Sequence, residues 1–154
     1  MIYIDEAGFD NRLFRERARA PRGIKIHANR PGKKRERVSM IAGLLGKQMI
    51  APFTFQGGCT ADVFNLWLED ILLPVIPKKS VLILDNAAFH KTPQTAKLIE
   101  KAGCFLKFLP TYSPDLNPIE HCWHQVKSRV KHLMLKQTQM EDALQIILAE
   151  LSCF

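Results

Sequence analysis

The stretch SVLILDN, residues 80–86, constrains the fold more than any other feature of the chain. A near-continuous apolar run bounded by turn residues is the pattern of a strand covered on both faces, and such strands belong to parallel or mixed sheets flanked by helices. Other segments supply the neighbours. MIYID (1–5), VSMIAGLLG (38–46), QMIAPFTF (48–55) and CFLKFLP (104–110) read as further strands, with Gly46 and Lys47 turning a hairpin between the second and third. Pro52 cannot donate to a ladder, which places its strand at a sheet edge. Val63, Phe64, Trp67, Leu68 and Ile71 recur at helical spacing behind a Thr60 cap, and Pro74 and Pro77 close that element. A short helix over 93–102 ends at Gly103. Ile119, Cys122, Trp123, Val126, Val130 and Leu133 share one helical face. Thr138 and Glu141 form a capping box for a last helix, with Met140, Ala143, Leu144, Ile147, Leu148 and Leu151 facing the core. The order is strand, strand, strand, helix, strand, helix, strand, helix, helix. It predicts an α/β domain: an antiparallel meander followed by two right-handed crossovers, hence a mixed five-stranded sheet with helices on its faces.

A chain of 154 residues suits one domain of this kind, spanning 1–154. No apolar run approaches the roughly 20 residues of a membrane span. The start MIYIDE has no basic region or long apolar stretch, so no secretory signal is read and a cytoplasmic, reducing location is expected. Cys59, Cys104, Cys122 and Cys153 are scattered without a C-x-x-C pair, which argues against a disulfide framework or a zinc cage and for free thiols. His121 and His124 beside Cys122 lack a fourth partner at sensible spacing.

The net charge of +7 is unevenly spread. Eleven of the 22 Lys and Arg fall between Arg12 and Arg37, a segment punctuated by Pro21, Gly23, Pro31 and Gly32 that has room for one short strand at GIKIHA (23–28). Only Glu16 and Glu36 oppose them. A second group, Lys127, Arg129, Lys131 and Lys136, sits late in the chain. Such blocks either neutralise a phosphate-rich partner, releasing its counterions, or form a solvated surface that aids solubility.

Two apolar strands stop at an acid, the first at Asp5 and the fourth at Asp85. In mixed α/β sheets chemistry collects beyond the carboxyl ends of parallel strands. If the two strands are neighbours, the carboxylates converge, and they repel unless a cation lies between them. A third acid is held by its surroundings. In YSPDLNPIE (112–120), Pro114 and Asp115 make a turn, Asn117 is an N-cap, Pro118 takes the first helical position and Glu120 falls at N3. Glu120 either completes the cap or serves as a third ligand, and the two roles are compatible. An all-oxygen set suits Mg2+ or Mn2+. Two such ions about 3.5–4 Å apart would activate a water or hydroxyl and stabilise a leaving oxygen during in-line attack on a phosphodiester. Glu120, His124, Lys127 and Lys131 share one row of the helix and present a basic face able to track a nucleic-acid backbone, or merely a solvated one. Trp67 and Trp123 read as core. Asp62, Glu69, Asp70 and Asp115 have surface or turn explanations, and Glu6 alternates to the opposite side of its strand from Asp5.

The motifs YIDE (3–6), LILDNAAFH (82–90) and TYSPDLNPIEHCW (111–123) together resemble the catalytic domain of bacterial insertion-sequence transposases of the mariner-related superfamily. Thirty-four residues separate Asp85 from Glu120, the spacing of that superfamily. The resemblance covers essentially the whole chain. It implies a ribonuclease H-like fold, with Asp5, Asp85 and Glu120 as a catalytic, metal-binding triad for Mg2+ or Mn2+. It implies cleavage of double-stranded DNA at mobile-element ends and strand transfer into a target, by a chain that dimerises when DNA is bound and acts in the cytoplasm at the nucleoid. Asn86 and His90 stand where relatives often carry the same residues; His90 either caps the following loop or contacts phosphate. Two departures are visible. The helix-turn-helix that precedes the first catalytic strand in such proteins is absent from this sequence, so a separate chain is one possible supplier of it. Arg19-Ala20-Pro21 replaces a common Trp-Ala-Pro. An inactive DNA-binding remnant, or a nuclease or resolvase that does not join strands, are the competing expectations.

Overall fold

In the computed structural model, residues 1–10, 37–111, 113–136 and 138–151 are described. The basic segment before Arg37, the GIKIHA stretch and Cys153 lie outside them. β1 (Ile2–Asp10), β2 (Arg37–Leu45) and β3 (Gln48–Gln56) make the antiparallel meander. β4 (Val81–Leu84) pairs parallel to β1, and β5 (Phe105–Phe108) parallel to β4, giving the order β3-β2-β1-β4-β5. The expected mixed five-stranded sheet is therefore present, with Pro52 on an edge strand.

Alternation along β1 divides the core in two. Ala7 and Phe9 point to a layer made by α3 (Ile119–Leu135) and α4 (Met140–Leu151), against Trp123, Val126, Val130 and Ile147. Ile2 and Ile4 point the other way, to α1 (Ala61–Trp67) and α2 (Pro93–Lys101), against Phe64, Trp67 and Ile99. Leu82 and Leu84 of β4 are fully buried in this second layer. Each such side chain contributes roughly 1.5–3 kcal/mol relative to an exposed one.

Several local expectations shift. α1 is capped by Thr60, whose hydroxyl accepts from the Val63 N–H at 3.3 Å. It does not run regularly to Pro74 but passes through a π turn at Leu68–Leu72 and a 3-10 turn at Leu73–Val75. The wider turn advances the buried face by one residue, so Leu72 is fully buried where Ile71 was expected. At the start of α4 the first helical bond runs from Ala143 N–H to the Gln139 carbonyl, so Gln139 rather than Thr138 flanks the helix and the anticipated capping box is displaced. α2 keeps its predicted ends: Thr92 caps Thr95, and Gly103 follows the helix at a φ of 70°, where an L side chain is disfavoured. Thr95 Oγ1 also donates to buried Asn65 Oδ1 at 2.7 Å, joining α2 to α1 beneath the loop that follows β4.

Candidate active site

β1 runs on to Asp10 along β2, so Asp5 does not end its strand as the sequence suggested. It ends a pairing instead. The parallel ladder with β4 matches Ile2 to Leu82 and Tyr3 to Ile83, and continuing that register by two residues sets Asp5 beside Asp85. β4 stops at Leu84, so the two strands part where the acids stand.

Asp5 is nearly buried, at 8% exposure. Its Oδ1 accepts from the Glu6 N–H at 2.9 Å and its Oδ2 from Trp123 Nε1 at 3.2 Å. Burial, reinforced by the charges of Glu6, Glu120 and Asp85, raises its pKa to about 7 against the opposing effect of the Glu6 N–H. Asp85 differs. Its Oδ1 accepts from His90 Nδ1 at 2.8 Å and from the Ala87 N–H at 2.9 Å. The hydrogen bond from His90, followed by that from Ala87, holds its carboxyl below the ordinary range in spite of partial burial.

His90 lies in a 3-10 turn, Ala88–His90, and is completely buried between the rings of Phe64 and Phe89, with centroids 4.4 and 4.2 Å away. Its Nε2 meets Glu6 Oε1 at 2.9 Å. Burial disfavours the imidazolium, but the hydrogen bonds to Asp85 and Glu6 outweigh it and raise the pKa to about 9. Asn86 donates to the Leu109 carbonyl, tying the exit of β4 to the exit of β5.

Glu120 is exposed in the first turn of α3. The expected Asn117 cap is not formed: the residue flanking the helix is Pro118, without a side-chain cap, and Glu120 sits at N2. Asn117 Oδ1 is instead buried with no hydrogen-bond partner. The Asn117 and Pro118 carbonyls accept from the Glu120 and His121 N–H groups at 3.1 and 3.3 Å, so tight backbone turns fix the helix start.

Asp5, Asp85, Glu120, Asn86 and Asn117 line one cleft of about 390 Å³. The three predicted acids thus line the same cleft. Among the described residues no three His, Cys, Asp or Glu side chains lie close enough together to hold a metal ion between them. A larger hollow of about 540 Å³ along α2 is lined by Thr92, Lys97 and Lys101 and by no acid, so donor chemistry rather than volume marks the site. Along α3, His124 is exposed and Lys127 and Lys131 are half-buried, while Arg129 is paired with Glu150 of α4.

Two residues of the site escaped the sequence reading. Trp123 is core, as expected, yet its indole N–H also serves Asp5. Glu6 does leave the opposite face from Asp5, but it returns to the site through His90. The first could have been found from its place three residues after Glu120 on one helical face; no spacing announces the second, whose contact spans 84 residues.

A family model described as DDE superfamily endonuclease matches residues 1–141. The chain belongs to this superfamily. Among solved structures, the DDE chain resembles the Mos1 strand transfer complex at a TM-score of 0.64 and 16% identity, over 97% of this chain and 46% of that one. It also resembles the mariner Mos1 paired-end complex with Mg at 0.58 and 17%, over 76% and 37%. The simian T-cell lymphotropic virus intasome in complex with a PP2A regulatory subunit gives 0.61 and 10%, over 94% and 45%. These likenesses share the ribonuclease H-like fold. A curated relative, the uncharacterized protein y4pE/y4sA of Sinorhizobium fredii (strain NBRC 101917 / NGR234), is 50% identical over 44 residues, 29% of this chain and 30% of that protein. The DDE chain therefore spans less than half the length of these relatives. No helix among its described residues is long and apolar enough to cross a membrane.

Proposed function

We propose that this chain is the catalytic domain of a DNA transposase. It would cleave a phosphodiester at the end of a mobile element and transfer the freed 3′ hydroxyl to a target strand, with Asp5, Asp85 and Glu120 as its metal-binding residues. The observation that carries this reading is that the three acids line one cleft, although they lie on β1, after β4 and on α3.

The donor set fits a hard divalent cation. All three side chains offer oxygen, and burial plus neighbouring negative charge already hold Asp5 partly protonated near neutrality, so the cluster is short of positive charge. Mg2+ or Mn2+, in one or two sites, would supply charge neutralisation and activation of the attacking oxygen. The chain's own residues do the rest. Trp123 fixes the rotation of Asp5, and His90 that of Asp85. The start of α3 presents Glu120, and Lys127 and Lys131 further along that helix would hold the backbone phosphates of double-stranded DNA. Hydrolysis releases a 3′ hydroxyl and a 5′ phosphate; joining exchanges one phosphodiester for another, so no external energy source is needed. The likeness to the Mos1 strand transfer and paired-end complexes supports pairing of two copies on DNA. Acting on DNA, the chain would work in the cytoplasm at the nucleoid. Sequence-specific reading of element ends would fall to a helix-turn-helix unit on this polypeptide or another.

The test is a nicking and joining assay on labelled duplex DNA. Activity is expected only with Mg2+ or Mn2+, and Asp85→Asn should abolish it while circular dichroism shows an intact fold. Full-rate cutting by that variant would remove the triad from consideration.

A further inference from the structure

Two consecutive acids on β1 leave opposite faces of the sheet, yet both serve the same cleft. Asp5 reaches it directly. Glu6 reaches it from the α1 layer, through the two ring nitrogens of His90. We propose that Glu6 is a positioning residue for Asp85: by accepting from His90 Nε2 it fixes the imidazole so that Nδ1 holds Asp85 Oδ1, leaving Oδ2 set for the cation. This rests on the reading that Asp85 binds a divalent ion.

The geometry shows why such a device is needed. The Asp85 side chain is 48% exposed and follows the last residue of β4, so no packing fixes the rotation of its carboxylate. Two donors do so, the Ala87 N–H and His90 Nδ1, and both arrive on the same oxygen. His90, by contrast, has no exposed surface and lies against Phe64 and Phe89. Packing allows such a ring to flip about its long axis but not to leave. What distinguishes its two nitrogens is the carboxylate waiting for each. Glu6 has only 15% of its side chain exposed, so its partner cannot readily be replaced by water. Without it, a buried N–H would be orphaned, and the ring would turn or shift to regain a partner, releasing Asp85. Groups that orient a metal ligand from one bond further out commonly change metal affinity by about 10–100-fold when removed.

A purely structural Glu6 would change folding stability alone, so the experiment separates stability from metal affinity. Mn2+ binding is measured by calorimetry on the whole chain, beside thermal melts, for the unaltered protein, Glu6→Gln, Glu6→Leu, His90→Ala and the double variant Glu6→Leu/His90→Ala. Glu6→Leu should weaken Mn2+ about 10-fold or more while still melting cooperatively. Glu6→Gln, which keeps an acceptor for Nε2–H, should recover most of that loss. In the His90→Ala background Glu6→Leu should cost no further affinity. A folded Glu6→Leu that binds Mn2+ as well as the unaltered chain overturns the proposal. So does an equal additional loss when His90 is absent. Should Glu6→Leu not fold, nuclear magnetic resonance of the unaltered chain decides: the His90 Nδ1–H signal should move on adding Mg2+, and indifference to Mg2+ refutes the link. Absence of Mn2+ binding by the unaltered chain is a different failure, and it sinks the metal reading beneath both.

Discussion

Trp123 donates its indole N–H to Asp5 Oδ2 at 3.2 Å, across 118 residues of sequence. The bond fastens α3 to β1 beside the cleft, and Glu120 stands one helical turn before Trp123. Placement of the third acid is therefore coupled to placement of the first. Trp123→Phe keeps an aromatic ring but removes the donor from a buried carboxyl, whose loss costs about 1–3 kcal/mol. Urea unfolding should show that loss as a lower midpoint at unchanged slope. The Asp5→Asn/Trp123→Phe double variant should lose less than the two single changes added together. Strict additivity would show that the contact carries no energy.

The raised pKa values of Asp5 and His90 give stability a defined pH dependence in metal-free buffer. Asp5 ionises at about 7 in the folded chain and near 3.8 when unfolded, so the native state holds the extra proton between those values. Stability associated with Asp5 accordingly falls as pH rises from about 4 to 7. His90 is raised from 6.5 to about 9, so its contribution is fully present below 6.5 and is lost as pH climbs to 9. Denaturation midpoints should decline through both windows. Asp5→Asn should flatten the acidic one and leave the alkaline one in place. A midpoint for the unaltered chain that rises from pH 4 to 7 would contradict the burial assigned to Asp5.

How far the sequence disclosed this arrangement depends on the range of the interactions involved. Strand β4 was legible because burial on both faces writes itself into four consecutive residues, Val81 to Leu84. Asp85, just past the end of an apolar strand, and Glu120, in a turn-rich segment, were legible as local features, whereas Asp5 was singled out by a strand end that the fold does not have. The length of β1 was not: Glu6, Ala7 and Gly8 carry little strand signal, and the pairing with β2 that extends the strand to Asp10 is a tertiary effect. The helix starts at Ile119 and Met140 were each misread by a residue or so, because Asn117 and Thr138 are good caps whose competition with neighbouring backbone turns is settled only in the folded chain. Glu6 shows the limit most clearly, since its role depends on a ring reached across the sheet.

Cys59 provides a chemical check on that same acid. Burial, then the charge and hydrogen bond of Glu6, raise its thiol to about 12. A thiol so protonated is a poor nucleophile. In the folded chain at pH 8, Cys59 should alkylate with iodoacetamide well below the rate of an unfolded control, as read by peptide mass spectrometry. Glu6→Gln should speed it. Rapid modification of Cys59 in the unaltered, folded protein would show that Glu6 does not approach it.

Behind Asp5 the meander carries a bulge. Asp5 lies opposite Ala42 of β2, and the register with β3 jumps there from Ile41–Phe53 to Gly43–Ile50, so Ala51 and Pro52 together face one residue. The bulge accommodates a proline that cannot join the ladder, and it forces Ala51 to a φ of 51°. An L side chain in that region costs roughly 1–2 kcal/mol, whereas glycine adopts it freely and gives back about 0.5–1 kcal/mol in chain entropy. Ala51→Gly should therefore stabilise the fold by up to about 1 kcal/mol. The Ala51 carbonyl, which accepts from Trp67 Nε1 at 2.8 Å, is unaffected by the change, so the layer under the site should keep its packing. Denaturant midpoints should rise at constant slope, with Mn2+ affinity unaltered. A fall in midpoint would mean that the methyl group of Ala51 contributes more by packing than its backbone loses by strain.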